Sequence, residues 1–331
     1  MDIITQALLG ATLTQSVARK SELKYAAVVG SVAGILADAD ILIQSSTDSL
    51  LTIEYHRHFS HALVFIPIGA LIAALILWPF LRNKLSFTRL YLYSLMGYSM
   101  SGLLDACTSY GTHLLWPFSE ERIAWSIISI FDPVFTFILL LSMIVALRRQ
   151  SSAVARTGLA LAALYMTVGV MQSQRIETAV EALALSRNHP IERLIVKPTI
   201  GNLVLWRSIY ESENFYYIDA IRAGFGNSKL YPGTRIKKLD SSEITGIAQV
   251  DSTLYNDILR FQDFSDGYTA FHPERQDIIG DVRYAMLPTS ASPLWGIEFD
   301  ANKPQQHARY QFYRNMTTTD KELFMSMLLG K

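Results

Sequence analysis

The sequence has very little cysteine and little charge. A single cysteine, Cys107, occurs among 331 residues, which excludes an internal disulfide framework and a zinc site built from cysteines. The formal net charge is zero, so no overall positive charge favours binding to nucleic acid. Charged residues make up 18% of the chain, below the roughly 25% of an average soluble protein. Half of the residues are hydrophobic, and long apolar runs are confined to the first 172 residues.

The familiar catalytic and nucleotide-binding motifs are also absent. The sequence has no Gly-x-Ser-x-Gly elbow, no phosphate-binding loop and no dinucleotide fingerprint. No basic residue precedes the first apolar segment, and Asp2 stands at its start, which makes a cleavable signal peptide a poor match. The first half of the chain is therefore better described by its apolar segments than by any catalytic motif.

Six apolar segments are present, at residues 3–18, 25–43, 62–81, 90–104, 130–147 and 154–171. Residues 62–81 contain no charge, and twenty such residues suffice to cross about 30 Å of hydrocarbon. The segment at 90–104 is rich in serine and glycine, small residues that let helices approach closely in a bilayer. We therefore predict a polytopic helical membrane domain of about six helices over residues 1–172.

Basic residues gather in alternate loops, after the first, third and fifth segments: Arg19, Lys20 and Lys24; Arg82, Lys84 and Arg89; Arg148, Arg149 and Arg156. Loops 44–61 and 107–129 carry one basic residue each. Because positive residues stay in the cytoplasm, the basic loops are predicted there. Both chain ends and the two remaining loops are then predicted on the extracytoplasmic side.

Residues 173–331 are typical of a soluble α+β domain. A polar helix is expected over 172–187, ended by the Asn188-His189-Pro190 sequence. Short β-branched and aromatic runs separated by turn residues predict an antiparallel sheet, with strands at 194–196, 203–210, 215–221, 278–286, 295–299 and 310–313. Two further helices are expected at 253–263 and 319–329.

The most distinctive stretch of the chain holds three of its seven histidines, His56, His58 and His61, within six residues. A neutral imidazole binds zinc and similar metals without first losing a proton. Asp38 and Asp40 end the second apolar segment, and Asp105 follows the fourth. Since all of these residues are predicted on one side of the membrane, they form a candidate shared metal site. The alternative is a solvated polar loop with incidental histidines.

The candidate ligands are His56, His58, His61, Asp40 and Asp105, and the candidate catalytic carboxylates are Asp38 and Asp40. Ionisable groups at membrane depth are expensive and point to function, although either aspartate could simply mark the end of a helix. We expect Ser60 to cap the third helix, with His61 in its first turn. Imidazoles and carboxylates without thiolates suit a divalent metal, in particular zinc or manganese. Such a metal can activate water for hydrolysis, with a spare carboxylate as general base.

Taken in order, these motifs resemble the bacterial family of membrane-bound metal-dependent hydrolases, the YdjM/YfhP-like inner membrane proteins. The matching stretches are Asp2 to Gly10, Ala37-Asp38-Ala39-Asp40, His56 to Ala62, Asp105, Tyr110-Gly111-Thr112, Pro117-Phe118-Ser119 and Phe131-Asp132-Pro133. The resemblance implies a location in the bacterial inner membrane and a metal-dependent hydrolase activity, but it names no substrate. Lipid-linked or phosphate-ester substrates are expected at a site level with the lipid headgroups.

This chain departs from the family pattern at two positions. Gln6 stands where the family has histidine, and His58 stands where it has glycine. Either His58 substitutes for the lost ligand, or this member binds metal weakly or has lost its activity. The rival interpretation is a non-catalytic membrane protein whose soluble domain binds a partner and whose metal site is degenerate or structural.

Overall fold

A computed structural model describes residues 1–224, 226 and 228–331. These residues divide into two compact units. We call the first, which comprises Met1–Leu42, Tyr55–Met171 and Ile200–Leu203, the helical unit. We call the second, which comprises Ile43–Glu54, Gln172–Thr199 and Val204–Lys331, the sheet unit. Two short segments thus belong to a different unit from their neighbours in sequence, and the predicted domain boundary at residue 172 stays a prediction.

Helices occur at all six apolar segments: α1 (Ile3–Val17), α2 (Leu23–Leu36), α4 (Ile66–Leu81), α5 (Phe87–Ala106), α6 (Pro133–Arg149) and α7 (Ser152–Ser186), with a short α3 (Leu51–Tyr55) between the second and third. Side-chain caps explain where several of them begin. Asp2 accepts hydrogen bonds from two backbone amides of α1, Ser86 caps α5, and Asp132 caps α6 directly before Pro133. The polar helix expected from residue 172 is the second half of α7.

Within the described residues, three stretches are helical, long and apolar enough to cross a membrane: Lys20–Leu42, Leu63–Leu81 and Ser152–Ser186. Large apolar side chains cover the outer face of α4. Four of them are between 42% and 55% exposed: Leu71, Ile72, Leu75 and Ile76. An exposed apolar band of this kind is stable against lipid rather than water. The chain therefore contacts the bilayer through these helices, whereas a total of six crossings stays a prediction.

Glycines bring α1, α2 and α5 into close contact. A side chain at Gly10 of α1 would collide with the carbonyl of Gly30 in α2, and one at Gly97 of α5 would collide with the same carbonyl. Small residues at such crossings let helix backbones approach closely. The packing brings the start of α1, the end of α2 and the end of α5 together at one end of the helical unit.

The sheet unit contains two antiparallel four-stranded sheets with strand orders β1-β2-β3-β4 and β5-β6-β7-β8. The strands are Arg193–Pro198, Leu205–Ser212, Phe215–Ala223, Ser228–Lys237, Thr269–His272, Arg275–Asp281, Trp295–Glu298 and Arg309–Phe312, and the helices α8 to α10 are Ser241–Ile247, Thr253–Phe264 and Thr318–Leu329. This architecture confirms the predicted fold class. Both sheets contribute to one apolar cluster, in which Ile209 and Ile218 face each other across β2 and β3.

Three elements of the sheet unit were not expected from the sequence: β4, β5 and α8. Residues 228–237 form β4 although Pro232 and Gly233 lie within it, and these residues normally indicate a turn. β4 is an edge strand in the first sheet, and an edge position tolerates proline because one side of the strand makes no ladder hydrogen bonds. Pairing with β3 therefore overrides the local turn preference.

Candidate metal centre

Asp38, His61 and Asp105 come together from three separate elements of the helical unit. Asp38 lies in the 3₁₀ turn Ala37–Leu42 that continues α2, His61 ends the 3₁₀ turn Phe59–His61, and Asp105 lies in the last turn of α5. One ligand atom from each lies within 4.8 Å of the others. We call these three residues the central group. Two carboxylates and one imidazole form a donor set that divalent metals use in proteins.

The Nε2 atom of His61 faces both carboxylates of the central group. It lies 3.3 Å from Asp38 Oδ1 and 3.1 Å from Asp105 Oδ2. His61 is 2% exposed and Asp105 is fully buried. Among the residues that the structure describes, Nε2 nevertheless makes no hydrogen bond of acceptable geometry. A buried polar atom is rarely left without a partner, so this atom is placed as a metal ligand would be.

The other ring nitrogen of His61, Nδ1, contacts Ser60 and Asp40 on the side of the ring away from the central group. Nδ1 lies 3.0 Å from Ser60 Oγ and 3.2 Å from Asp40 Oδ2. The Ser60 hydroxyl itself donates to Asp40 Oδ2 at 2.7 Å, and the Arg57 backbone amide donates to the same oxygen at 2.8 Å. For the neutral ring that would bind a metal, we assign the remaining proton to Nδ1 within this network, which leaves the Nε2 lone pair on the side of Asp38 and Asp105. Metal-binding histidines are commonly oriented by a carboxylate in this way.

Carboxylates outnumber cationic groups at the site: three, Asp38, Asp40 and Asp105, face two, Arg57 and the Met1 amine. Burial alone would lower the pKa of His61, but the surrounding carboxylates of Asp105, Asp38 and Asp40 outweigh burial and raise this pKa to about 10, so a metal ion bound at Nε2 would replace a proton. Burial alone would raise the pKa of Asp105, but Arg57, the Met1 amine and His61 hold it well below its ordinary value. The Arg57 Nε atom lies 3.2 Å from Asp105 Oδ2. The same excess of carboxylates would attract a divalent cation.

Gln6 also reaches the central group, from the first turns of α1. Its Nε2 atom donates to Asp105 Oδ2 at 3.1 Å, and the side chain is 2% exposed. Within the described part of the chain its Oε1 atom has no hydrogen-bond partner. The position at which the family pattern has histidine therefore lies at the edge of the predicted site, and an amide carbonyl oxygen is available there as a weak ligand.

The remaining predicted residues separate into different environments. Asp40 contacts His61 at Nδ1 and not at Nε2. His56 Nδ1 donates to Asp40 Oδ1 at 2.9 Å, because an ionised carboxylate oxygen can only accept. His58 belongs to another group, with His113 and Glu120. His58 and Gln6 therefore lie in different groups, and the replacement of the missing ligand at position 6 by His58 stays a prediction.

Two features of the site were missed or misassigned at the sequence level. Arg57 looked like a loop residue, yet it is 4% exposed, has a positive φ of 61° and contacts Asp105. Ser60 does not cap the third helix, because α4 begins only at Ile66, and its hydroxyl joins Asp40 instead. The predicted role of Asp40 as a ligand or a general base stays a prediction. The signal in the sequence for Arg57 and Ser60 was that both lie next to predicted histidine ligands.

Apolar helices long enough to cross a bilayer, together with a cluster of carboxylates and histidine at their ends, define a helical membrane protein with a candidate metal centre. A family model described as "YdjM inner membrane protein" matches residues 1–176, more than half of the chain. The chain therefore belongs to this family of inner membrane proteins. It is also 26% identical over 228 residues to the uncharacterized protein YfhP of Bacillus subtilis (strain 168), covering 66% of this chain and 67% of that protein. No solved structure matches it.

Proposed function

We propose that this protein is a membrane-bound metal-dependent hydrolase whose metal ligands are Asp38, His61 and Asp105. The observation that carries the proposal is the buried Nε2 atom of His61, which lies between two carboxylate oxygens without a hydrogen bond to either. A purely structural histidine at this burial would pair with its neighbours. Zinc and manganese both suit a site of mixed imidazole and carboxylate ligands.

The surrounding residues have separate roles in this proposal. A divalent ion supplies Lewis acidity, which lowers the pKa of water and stabilises negative charge on an ester. Asp40 orients His61, and Arg57 balances part of the carboxylate charge. His56, which Asp40 holds through Nδ1 and which is 23% exposed at its side chain, is the candidate for proton transfer. Asp38 is the most exposed member of the central group, at 15% of its side chain, so we expect substrate to enter there.

The proposed substrate is a lipid-linked or phosphate-ester compound. Asp38 lies four residues before the end of the candidate span Lys20–Leu42, and His61 lies two residues before the start of Leu63–Leu81. Both positions favour a site at the level of the lipid headgroups. A phosphate ester in a headgroup would present anionic oxygens to the metal at that depth.

The proposed orientation places this site and the sheet unit outside the cytoplasm, on the basis of the loop charges. Alkaline phosphatase fused after residue 331 should then be active in cells, and green fluorescent protein fused there should be dark. The opposite pair of results would contradict the orientation and would indicate an odd number of crossings.

The function is tested on the full chain purified in detergent, by measuring bound zinc and manganese with mass spectrometry. We expect about one equivalent in the central group of the wild type and its loss in His61→Ala. His272→Ala is the matched control, because this histidine lies in the sheet unit outside every candidate metal group. Thermal denaturation of each variant shows whether it has folded.

Hydrolysis is measured in parallel with para-nitrophenyl phosphate and with phosphatidic acid in mixed micelles. Turnover that requires the added metal and disappears in His61→Ala would support the hydrolase. Metal binding at Asp38, His61 and Asp105 without turnover would favour the rival proposal of a structural site in a non-catalytic protein. A wild type that binds neither zinc nor manganese when these are supplied would overturn the metal-centre proposal.

A further inference from the structure

We propose that His58, His113 and Glu120 form a second metal site, which is selective for a transition-metal cation that prefers imidazole ligands, such as zinc or copper(II). We call these three residues the outer group. One ligand atom from each lies within 4.8 Å of the others. None of the three belongs to the central group, so this site can exist whether or not the proposed hydrolase activity does.

The two histidines of the outer group are placed as a pair of ligands. Their ring centroids are 4.7 Å apart, with an angle of 51° between the rings. The Nε2 atom of His58 lies 3.7 Å from Glu120 Oε2, too far for a good hydrogen bond. The Nδ1 atoms of both histidines are buried and, over the described residues, lack a hydrogen-bond partner. Two neighbouring imidazoles with unpartnered nitrogen atoms are unusual in a packed interior.

The backbone holds this pair in place. The amide of His113 donates to the carbonyl oxygen of Arg57 at 3.1 Å, and the hydroxyl of Thr112 donates to the same oxygen at 3.0 Å. His58 directly follows Arg57 in sequence, so these bonds fix the two histidines beside each other before any metal binds. A preorganised ligand pair reduces the entropy lost on binding.

Aromatic rings border one side of the outer group, and its carboxylate reaches solvent on the other. Phe59 and Trp116 lie 6.4 and 5.6 Å from the His58 ring, measured between centroids. The side chain of Glu120 is 75% exposed, which gives a cation a path of entry. Apolar walls lower the local dielectric and strengthen binding between Glu120 and a cation.

Arg122 is the positive charge that opposes this site. Its guanidinium lies over the ring of Tyr110, 5.3 Å from the ring centre. Burial is the main cause of the lowered pKa values of His58 and His113, and Arg122 adds to it. A hard cation, which binds mainly through charge, is therefore not the natural choice. Soft or borderline cations, which gain most of their binding energy from neutral imidazole nitrogens, tolerate such a neighbour better than magnesium or calcium does.

A metal in the outer group would cross-link the stretch that contains His56, His58 and His61 to the loop 107–129. The same stretch supplies His61 to the central group. Binding at the outer group is therefore expected to restrict the backbone that positions His61. This makes the second site a regulatory or stabilising element of the helical unit, distinct from the proposed catalytic metal.

The test uses the full chain in detergent, first freed of metal and then titrated with zinc chloride by isothermal calorimetry. The wild type should bind two equivalents, His113→Ala one, and His61→Ala one. Glu120→Gln, a conservative change at an exposed residue, should weaken the outer site by about tenfold, and His272→Ala should change nothing. If His61→Ala binds no zinc, or if His113→Ala binds as many equivalents as the wild type, the outer site does not exist.

Copper(II) bound to His61→Ala provides a second readout that does not depend on stability. Its electron paramagnetic resonance spectrum should show hyperfine coupling to two imidazole nitrogens, and His58→Gly should reduce this number to one. A spectrum that is unchanged by His58→Gly would exclude the outer group as the copper ligands. Failure of the hydrolase assay leaves these results unaffected, because none of them measures turnover.

Discussion

Buried charged side chains have different kinds of partners in the two units. In the sheet unit, the terminal nitrogens of the buried Arg207 donate to four backbone carbonyl oxygens, those of Val282, Leu287, Pro288 and Ser290. Arg283 forms a bidentate pair with the fully buried Asp281, and also donates to the carbonyl oxygen of Phe264. The hydrogen bonds of these two arginines connect loops to strands, and each guanidinium donates to nearby acceptors.

The helical unit instead gathers carboxylates and leaves ligand atoms without hydrogen bonds. Asp38, Asp40 and Asp105 surround His61, and neither His61 Nε2 nor Gln6 Oε1 is paired within the described structure. Burial of polar atoms without partners costs free energy. Within the described structure the sheet unit also has buried atoms without hydrogen bonds, such as Arg207 Nε and Ser265 Oγ, but those of His61 and Gln6 belong to two side chains that both contact Asp105, an arrangement that a bound metal ion would explain.

The largest expected effect lies in the sheet unit. Asp281→Ala leaves the charge of Arg283 buried without its carboxylate, which should lower the free energy of unfolding by about 3–5 kcal/mol. Chemical denaturation of the purified protein measures it, and the metal content of the helical unit should be unchanged. Asp277→Ala removes an exposed partner of Arg275 and should cost less than about 1 kcal/mol. Equal losses from the two substitutions would contradict the assigned role of Asp281.

The substitution Asp40→Asn tests whether Asp40 positions His61 or binds the metal itself. If Asp40 only orients His61, the substitution should weaken zinc binding at the central group about 10- to 100-fold, as is typical of carboxylates behind a metal-bound histidine. Zinc titration measures this effect in the His113→Ala background, where the outer group is disabled. Complete loss of zinc in a folded protein would instead support the ligand role expected from the sequence. Asp300→Asn, at the surface of the sheet unit, is the control.

Gln6→His restores the family's residue at the edge of the central group. Because an imidazole is a stronger ligand than an amide oxygen, the substitution should raise zinc affinity by about tenfold, or about 1.4 kcal/mol. The measurement is the same titration in the His113→Ala background. Unchanged affinity would mean that position 6 acts only through its hydrogen bond to Asp105. His58→Gly in combination should not alter the gain, since His58 lies in the other group.

The smallest effect concerns a buried amine in the sheet unit. Lys197 is 7% exposed and lies over the Tyr284 ring. Burial, together with Arg207 and Arg283, lowers its pKa well below the ordinary value. The unfolded chain therefore binds a proton that the folded chain lacks, and stability should rise as pH increases toward the unfolded pKa. Lys197→Met should add about 1 kcal/mol at pH 7 and flatten this rise. A wild type whose stability falls between pH 7 and 9 while the variant's stays constant would contradict this.

Local sequence was sufficient for most of the secondary structure. An uncharged run such as residues 62–81 can only be buried or face lipid, so a helix there needs no tertiary information. Asp132 before Pro133 predicts a helix start because an aspartate cap and a proline at the first position satisfy the same backbone requirement. Where local signals and pairing disagree, as in β4, prediction fails. There the hydrogen bonds to β3 outweigh the turn preference of Pro232 and Gly233.

The sequence by itself determined a helical membrane part, an α+β part with antiparallel sheets, and a set of histidines and aspartates at the ends of apolar segments. Only the tertiary structure decided which of these residues meet. Asp38, His61 and Asp105 are separated by 23 and 44 residues in the chain, and they converge because glycine contacts let α1, α2 and α5 approach closely. The division of the histidines into central and outer groups has the same origin. Sequence spacing specifies which face of a helix a side chain occupies, but packing between distant segments determines what that side chain touches.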